Sequence, residues 1–234
     1  MKSVPGKLPG FPVAEGVGRI GGFVNIYTYQ DDGALYLIDA GFGRGARAIT
    51  RAFRDADAQL EGVREILLTH HHLDHSGGAA YIHERFKVPV ACHVEDAPFV
   101  DGRDTLPISR WMRLFAGSRP VPVATTLKDG DRIGSLQVIH APGHTPGSAV
   151  YYDPARKLLF SGDVVVERKG KLALAPTRYA ASVNQAVQSL ARLRGLAVEV
   201  LLPGHGVPVR NGYAAMLDDL IRRAPGEYLS DASH

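Results

Sequence analysis

The chain has 234 residues, 45% of them apolar and 22% charged, with a formal net charge of +3 at pH 7. This is enough apolar material for one large domain with a substantial core, and the weak, dispersed positive excess does not argue for a nucleic-acid footprint. No stretch approaches the roughly 18 apolar residues of a membrane span, and the opening MKSVPGKLPGFPVAEG lacks the apolar run of a secretory signal.

The expected compartment is therefore the cytoplasm. The expected partner is a small molecule, not nucleic acid or a membrane, and monomer and homodimer both stay open. The single cysteine, Cys92, allows no internal disulfide and reads as a small core residue of a short strand.

In chain order, Gly22–Tyr29 and Ala34–Asp39 read as strands joined by an Asp31-Asp32-Gly33 hairpin turn. Ile49, Phe53, Ala56 and Leu60 then share one face of a predicted helix, with Gly62 as its stop. Val63–Thr69 is a strand running into a histidine-rich turn. A helix from about Ser76 follows, with Ala79, Ile82 and Phe86 on one side, and then a strand at Val88–Cys92. Residues 96–130 look like an insertion with a helical centre. There Ile108, Trp111, Met112 and Phe115 form a narrow apolar face, suited either to a lid over a substrate or to plain packing.

Further strands are expected at Leu136–His140, Ala149–Tyr152, Lys157–Phe160 and Val198–Leu202. Between the last two, Ser182 with Gln185 makes a capping box ahead of Val183, Val187 and Leu190, and Gly195 ends that helix. A last helix carries Leu217, Leu220, Ile221 and Ala224, and the tail from Ser230 is expected to fray. Strands interleave with helices throughout, which makes the class α/β (α+β) and excludes an all-α or all-β domain. The whole of 1–234 is read as one domain.

The chemistry concentrates in Thr69-His70-His71-His72-Leu73-Asp74-His75-Ser76-Gly77-Gly78. His70 and His72 are two apart on chain leaving a strand, so both imidazoles can face one ion. Asp74 and His75 come after the turn and point to a second position nearby, the spacing of a two-metal hydrolase. His144 (in Pro-Gly-His-Thr), Asp163 (in Ser-Gly-Asp) and His205 (in Pro-Gly-His-Gly) each sit just past a strand end beside a glycine, where α/β proteins place their sites. Imidazole and carboxylate donors without thiolate suit two divalent ions, zinc first, with iron or manganese as alternatives. His71, His83, His93, His140 and His234 read as packed or solvated histidines.

The order H-x-H-x-D-H, then a lone His, a Gly-Asp and a Gly-His resembles the metallo-β-lactamase superfamily, over about Asn25 to Arg210. The resemblance implies a four-layer αββα sandwich. It implies that His70, His72 and His144 hold one metal, that Asp74, His75 and His205 hold the other, and that Asp163 bridges them. Asp39, in Leu-Ile-Asp-Ala-Gly, matches an aspartate that orients a ligand imidazole. The implied chemistry is hydroxide drawn from water between the ions attacking an activated carbonyl, with Asp74 orienting the nucleophile.

Within that resemblance the bridging Asp163 and the lack of a secretory signal count against a β-lactam substrate. Glyoxalase II-like thioesterases and lactonases are the similar branches that remain. Neither matches fully. The chain stops soon after His205, where full-length glyoxalase II continues into a glutathione-binding helical domain. It also has Val166 where characterised acyl-homoserine lactonases have a tyrosine. Arg178 and Tyr179, on the connection after Asp163, are candidate contacts for a polar substrate group, and Trp111 and Phe115 for an apolar one. The alternatives are a mononuclear iron oxygenase similar to persulfide dioxygenases and a silent binding protein.

Overall fold

The computed structural model describes residues 7–43, 46–104 and 119–229. The chain divides into two compact units, residues 1–127 and 128–234.

The first unit is built on a seven-stranded mixed sheet in the order β1 to β7. β1 (Phe11–Ala14), β2 (Val17–Ile20), β3 (Ile26–Asp31) and β4 (Ala34–Ile38) form an antiparallel meander. The β3–β4 turn is tight because Asp32 and Gly33 both take positive φ, 42° and 76°, as the Asp-Gly pair requires. From β4 onward the sheet is parallel, through β5 (Val63–Leu67), β6 (Val90–His93) and β7 (Thr125–Leu127).

Parallel neighbours need crossovers. α1 (Ala46–Asp55) supplies the first, and α2 (Leu73–Ser76) with α3 (Ala79–Phe86) the second. Ile49 and Phe53 of α1 and Ala79, Ala80 and Ile82 of α3 join Leu37, Ile66, Val90 and Cys92 in one buried cluster. Cys92 is fully buried there, and burial pushes its thiol pKa well up. The segment read as an insertion opens with Asp96 and α4 (Ala97–Asp101), and β7 near its end belongs to the sheet. Trp111 and Phe115, with the rest of that apolar face, lie outside the described residues, as does the tail from Ser230.

The second unit carries a six-stranded mixed sheet. In spatial order it runs β15 (Val209–Arg210), β14 (Val200–Pro203), β11 (Leu158–Gly162), β10 (Ala149–Asp153), β9 (Leu136–His140) and β8 (Arg132–Ile133). β11 and β14 are parallel, and the other pairs are antiparallel. β10 and β11 are buried along their whole length. A separate hairpin, β12 (Val166–Arg168) and β13 (Lys171–Ala173), follows Asp163.

α5 (Val183–Ser189) starts as its sequence predicts, with the Ser182 hydroxyl accepting from the Gln185 amide at 3.3 Å. α6 (Tyr213–Tyr228) buries Leu217, Leu220 and Ala224 against Leu159, Leu201 and Leu190. Among the described residues no helix is long and apolar enough to cross a membrane.

Several expectations shift. The strand expected from Gly22 begins at Ile26, and Phe23 is three-quarters exposed in the loop before it. α1 stops at Asp55, so Leu60 is buried from a 3-10 turn (Leu60–Gly62) and not from the helix face. The helix expected from Ser76 is two short ones interrupted at Gly77-Gly78. β1, β2, β7, β8, β12, β13 and β15 carry no signal in the sequence reading; each has two to four residues, too few for an alternating pattern.

Replacing Phe53 by Ala should cost about 3–5 kcal/mol, since it deletes a fully buried ring. Arg54→Ala, on the exposed face of the same helix, should stay within about 0.5 kcal/mol. Urea unfolding midpoints check both, and equal effects would mean that α1 does not pack through Phe53.

Candidate metal centre

In the first unit the exits of β4 and β5 lie side by side because the two strands are parallel. Asp39 follows β4 with φ +63°, a left-handed conformation that Asp tolerates better than most side chains. From there its buried carboxylate faces the β5 exit. It accepts the Thr69 amide at 2.8 Å and the Thr69 hydroxyl at 2.9 Å, and lies 2.7 Å from His75 Nδ1. A carboxylate there fixes the proton on Nδ1 and leaves His75 Nε2 as the electron-pair donor.

The same logic runs through Thr69. Its hydroxyl donates to Asp39 and stands 3.0 Å from His70 Nδ1, which again turns Nε2 into the donor end of His70. His70 Nε2 is enclosed with the rings of His75 and His72, at centroid distances of 4.1 and 4.8 Å. Asp74, in the first turn of α2, brings Oδ2 to 3.8 Å from His75 Nε2. The interruption at Gly78 is required by space, because a Cβ there would stand 2.2 Å from the carbonyl oxygen of Ala40.

His71 is packed, as expected of it, but by a group that sequence reasoning passed over. Asp96 is fully buried, accepts the His71 amide at 2.8 Å and sits 3.0 Å from His71 Nδ1. Phe99 of α4 stacks on the other side of the ring at 4.5 Å. The carboxylate thus grips the histidine-rich loop between His70 and His72. Its only sequence signal was an Asp just past a strand and ahead of Ala-Pro.

In the second unit β11 and β14 are the parallel pair, and their exits carry Asp163 and His205. Pro203 pairs with Gly162, and the Gly204 amide donates to the Gly162 carbonyl at 2.8 Å. His144 arrives on the β9–β10 loop. That loop is held by the Ala181 and Ser182 amides, which donate to the carbonyls of His144 and Gly143 at 3.0 and 2.9 Å.

Asp163 Oδ2 consequently lies 3.4 Å from His144 Nε2 and 3.6 Å from His205 Nε2. Both separations exceed an ordinary hydrogen bond. Two ligands each about 2.0–2.2 Å from one tetrahedral ion stand roughly 3.3–3.6 Å apart. The donor set therefore fits a metal, with one carboxylate oxygen placed between two imidazoles.

His144 and Asp163 also line a cleft whose other walls are Val164, Leu174, Ala175 and Val183. Thr177 and Ala180 line it too, and between them the 3-10 turn holds Arg178 against the Tyr179 ring at 4.5 Å. Arg178 and Tyr179 are both exposed. Two further histidines bond to backbone carbonyls: His83 Nδ1 donates to that of Val88 at 2.9 Å, and His140 Nε2 donates to that of Pro146 at 2.8 Å.

The sequence profile of the metallo-beta-lactamase superfamily matches residues 19–205. The chain belongs to this superfamily. It shares the superfamily's α/β fold, with two mixed sheets flanked by helices. Bacillus subtilis "Probable metallo-hydrolase YflN" is 29% identical, over 86% of this chain and 87% of its own length. Human "Acyl-coenzyme A thioesterase MBLAC2" is 31% identical, over 79% of this chain and 74% of its own. Among solved structures, TTHA1623 in a di-iron-bound form superimposes with a TM-score of 0.66 at 29% identity, covering 91% of this chain and 97% of that one. The His and Asp clusters are consistent with the two-metal site of a metal-dependent hydrolase of the superfamily.

Removing the Asp39 carboxylate (Asp39→Ala) should weaken metal binding about 10- to 100-fold, because His75 loses the group that fixes its tautomer. Competition against a chromophoric chelator measures this, and unchanged affinity would remove Asp39 from the site.

Proposed function

We propose that the chain is a two-metal hydrolase of acyl thioesters, acting on a small-molecule substrate. His70, His72 and His144 would hold one divalent ion, Asp74, His75 and His205 would hold the other, and Asp163 would contribute to both. The observation that carries the reading is the position of Asp163 Oδ2 between two imidazole nitrogens at metal-sharing separations. Zinc is the first choice for these donors, and iron, the metal of the TTHA1623 form, is the second.

When bound, the ions make hydroxide available at neutral pH by lowering the pKa of water from 15.7 to about 7. The protein's own side chains do the rest. Asp39 and Thr69 hold His75 and His70 so that Nε2 faces inward. Asp74 is partly exposed, with 21% of its side chain accessible, and so can accept the proton of the attacking water and pass it to the departing sulfur. In the reaction the water oxygen bonds to the acyl carbon and the C–S bond breaks. The products are a carboxylate and a thiol.

The cleft supports the choice of substrate. Leu174, Ala175, Val164 and Val183 make the lining beside His144 and Asp163 apolar, which favours an apolar group next to the reacting carbonyl. On its rim Arg178 has no carboxylate partner among the described residues and lies on the face of an exposed tyrosine. That pair suits an anionic group joined to a planar one, as in an acyl-coenzyme A. The likeness to MBLAC2 favours thioesters over lactones for the same reason.

Purified protein should carry two ions per chain and hydrolyse acyl thioesters, with activity lost to chelators. His72→Ala should lower both metal content and rate. Asp74→Ala should reduce kcat by about 10²–10⁴-fold even in protein that keeps some metal. One iron per chain with thiol-dependent oxygen uptake would instead make the chain an oxygenase.

Arg178→Ala should raise KM for a coenzyme A thioester about 10- to 100-fold, the loss of one charge-assisted contact. KM for an uncharged thioester should not move. Equal effects on both substrates would take Arg178 out of substrate binding.

A further inference from the structure

The hairpin after Asp163 has one feature that catalysis as described does not use: a half-buried glutamate with both carboxylate oxygens occupied by backbone amides. Glu167 lies in the middle of β12. Its Oε1 accepts the Gly170 amide at 2.6 Å, closing its own hairpin turn. Its Oε2 accepts the Val207 amide at 3.0 Å, forty residues away on the loop after β14. The backbone joins in, since the Glu167 amide donates to the His205 carbonyl at 3.2 Å.

Glu167 therefore holds the loop on both sides of Gly206, once at His205 and once at Val207. Gly206 itself has φ +91° and is pressed against the clamp. A Cβ there would meet the Glu167 carbonyl oxygen at 2.3 Å and Oε2 at 2.7 Å. The contact is too close for any side chain, so the loop sits where Glu167 puts it.

The clamp has a firm base. β12 pairs with β13, and Arg223 of α6, ion-paired to Asp219 at 2.9 Å, donates to the Leu172 carbonyl on β13. The chain leaving β13 then supplies Leu174 and Ala175 to the cleft wall. One hairpin thus carries a substrate wall at one end and the loop of a metal ligand at the other.

From this geometry we infer that Glu167 is a positioning residue for His205 and, through it, for the ion that His205 shares with Asp74 and His75. The inference rests on the two-metal reading for the role of His205. The mechanism is plain. The carboxylate fixes the backbone just after the ligand, at Val207, while the Glu167 amide holds the ligand's own carbonyl, so the imidazole need not be ordered when metal arrives.

The test is stepwise metal titration of metal-free full-length protein with zinc, comparing Glu167→Gln, Glu167→Ala and the unaltered chain. Circular dichroism serves as the measure of folding. In Glu167→Ala the second equivalent should bind about 10- to 100-fold more weakly while the first is unchanged. In Glu167→Gln, which keeps the shape and one acceptor oxygen, most of that loss should be recovered. The lost kcat of Glu167→Ala should return on adding excess zinc, with KM unmoved.

Unchanged affinity for both equivalents, or an equal loss of both, overturns the proposal. Should Glu167→Ala not fold, Glu167→Gln decides, since it should still bind the second equivalent a few-fold more weakly. Should the unaltered chain take only one ion, the two-metal reading fails on its own. Glu167 is then judged by imidazole NMR of the metal-free protein, where Glu167→Gln must shift the His205 resonances and leave those of His144 in place. Unshifted His205 signals sink the clamp.

Discussion

Parallel pairing of strands is the constraint on which the site depends. When two neighbouring strands run the same way, their exits open on the same edge of the sheet, and residues far apart in sequence become neighbours. The chain uses this repeatedly. In the first unit β4 and β5 deliver Asp39 to Thr69 and the His70–His75 run. In the second unit β11 and β14 deliver Asp163 to His205. Each time a buried carboxylate from one strand exit meets imidazoles from the other. The parallel exits of β5 and β6 likewise bring Asp96 to His71, whereas His144 arrives on the connection between the antiparallel strands β9 and β10.

The buried carboxylates divide the work. Asp39 and Asp96 hold protein, an imidazole and a backbone amide each, and are fully engaged in doing so. Asp163 stands off from its imidazoles by more than a hydrogen bond. That separation suits two ligands of one ion, whereas Asp39 and Asp96 are at hydrogen-bond distance from their partners.

Much of this was legible in the sequence, because metal ligation is written in residue types and spacings that few other functions use. The clustering of the His70–His75 run, the strand-end positions of His144, Asp163 and His205, and the contact of Asp39 with an imidazole, here that of His75, all follow from local pattern and resemblance. Long periodic elements such as α6 were legible for a related reason, since Leu217, Leu220 and Ala224 repeat at helical spacing. Asp96 and Glu167 were not. Each acts through contacts 25 and 40 residues away along the chain, and nothing around either one in sequence distinguishes it from a solvated acid. The β12–β13 hairpin escaped notice because three-residue strands flanked by Lys and Gly carry no alternation to read.

The seclusion of Cys92 has a further meaning under the proposed thioester reaction, which would release a thiol. The chain's single sulfhydryl lies fully buried in the first sheet, with its ionisation suppressed. Disulfide exchange needs an accessible thiolate. A liberated sulfhydryl compound would therefore find no sulfur on this protein with which to form a mixed disulfide. Turnover could proceed under oxidising conditions without the enzyme capturing its own product.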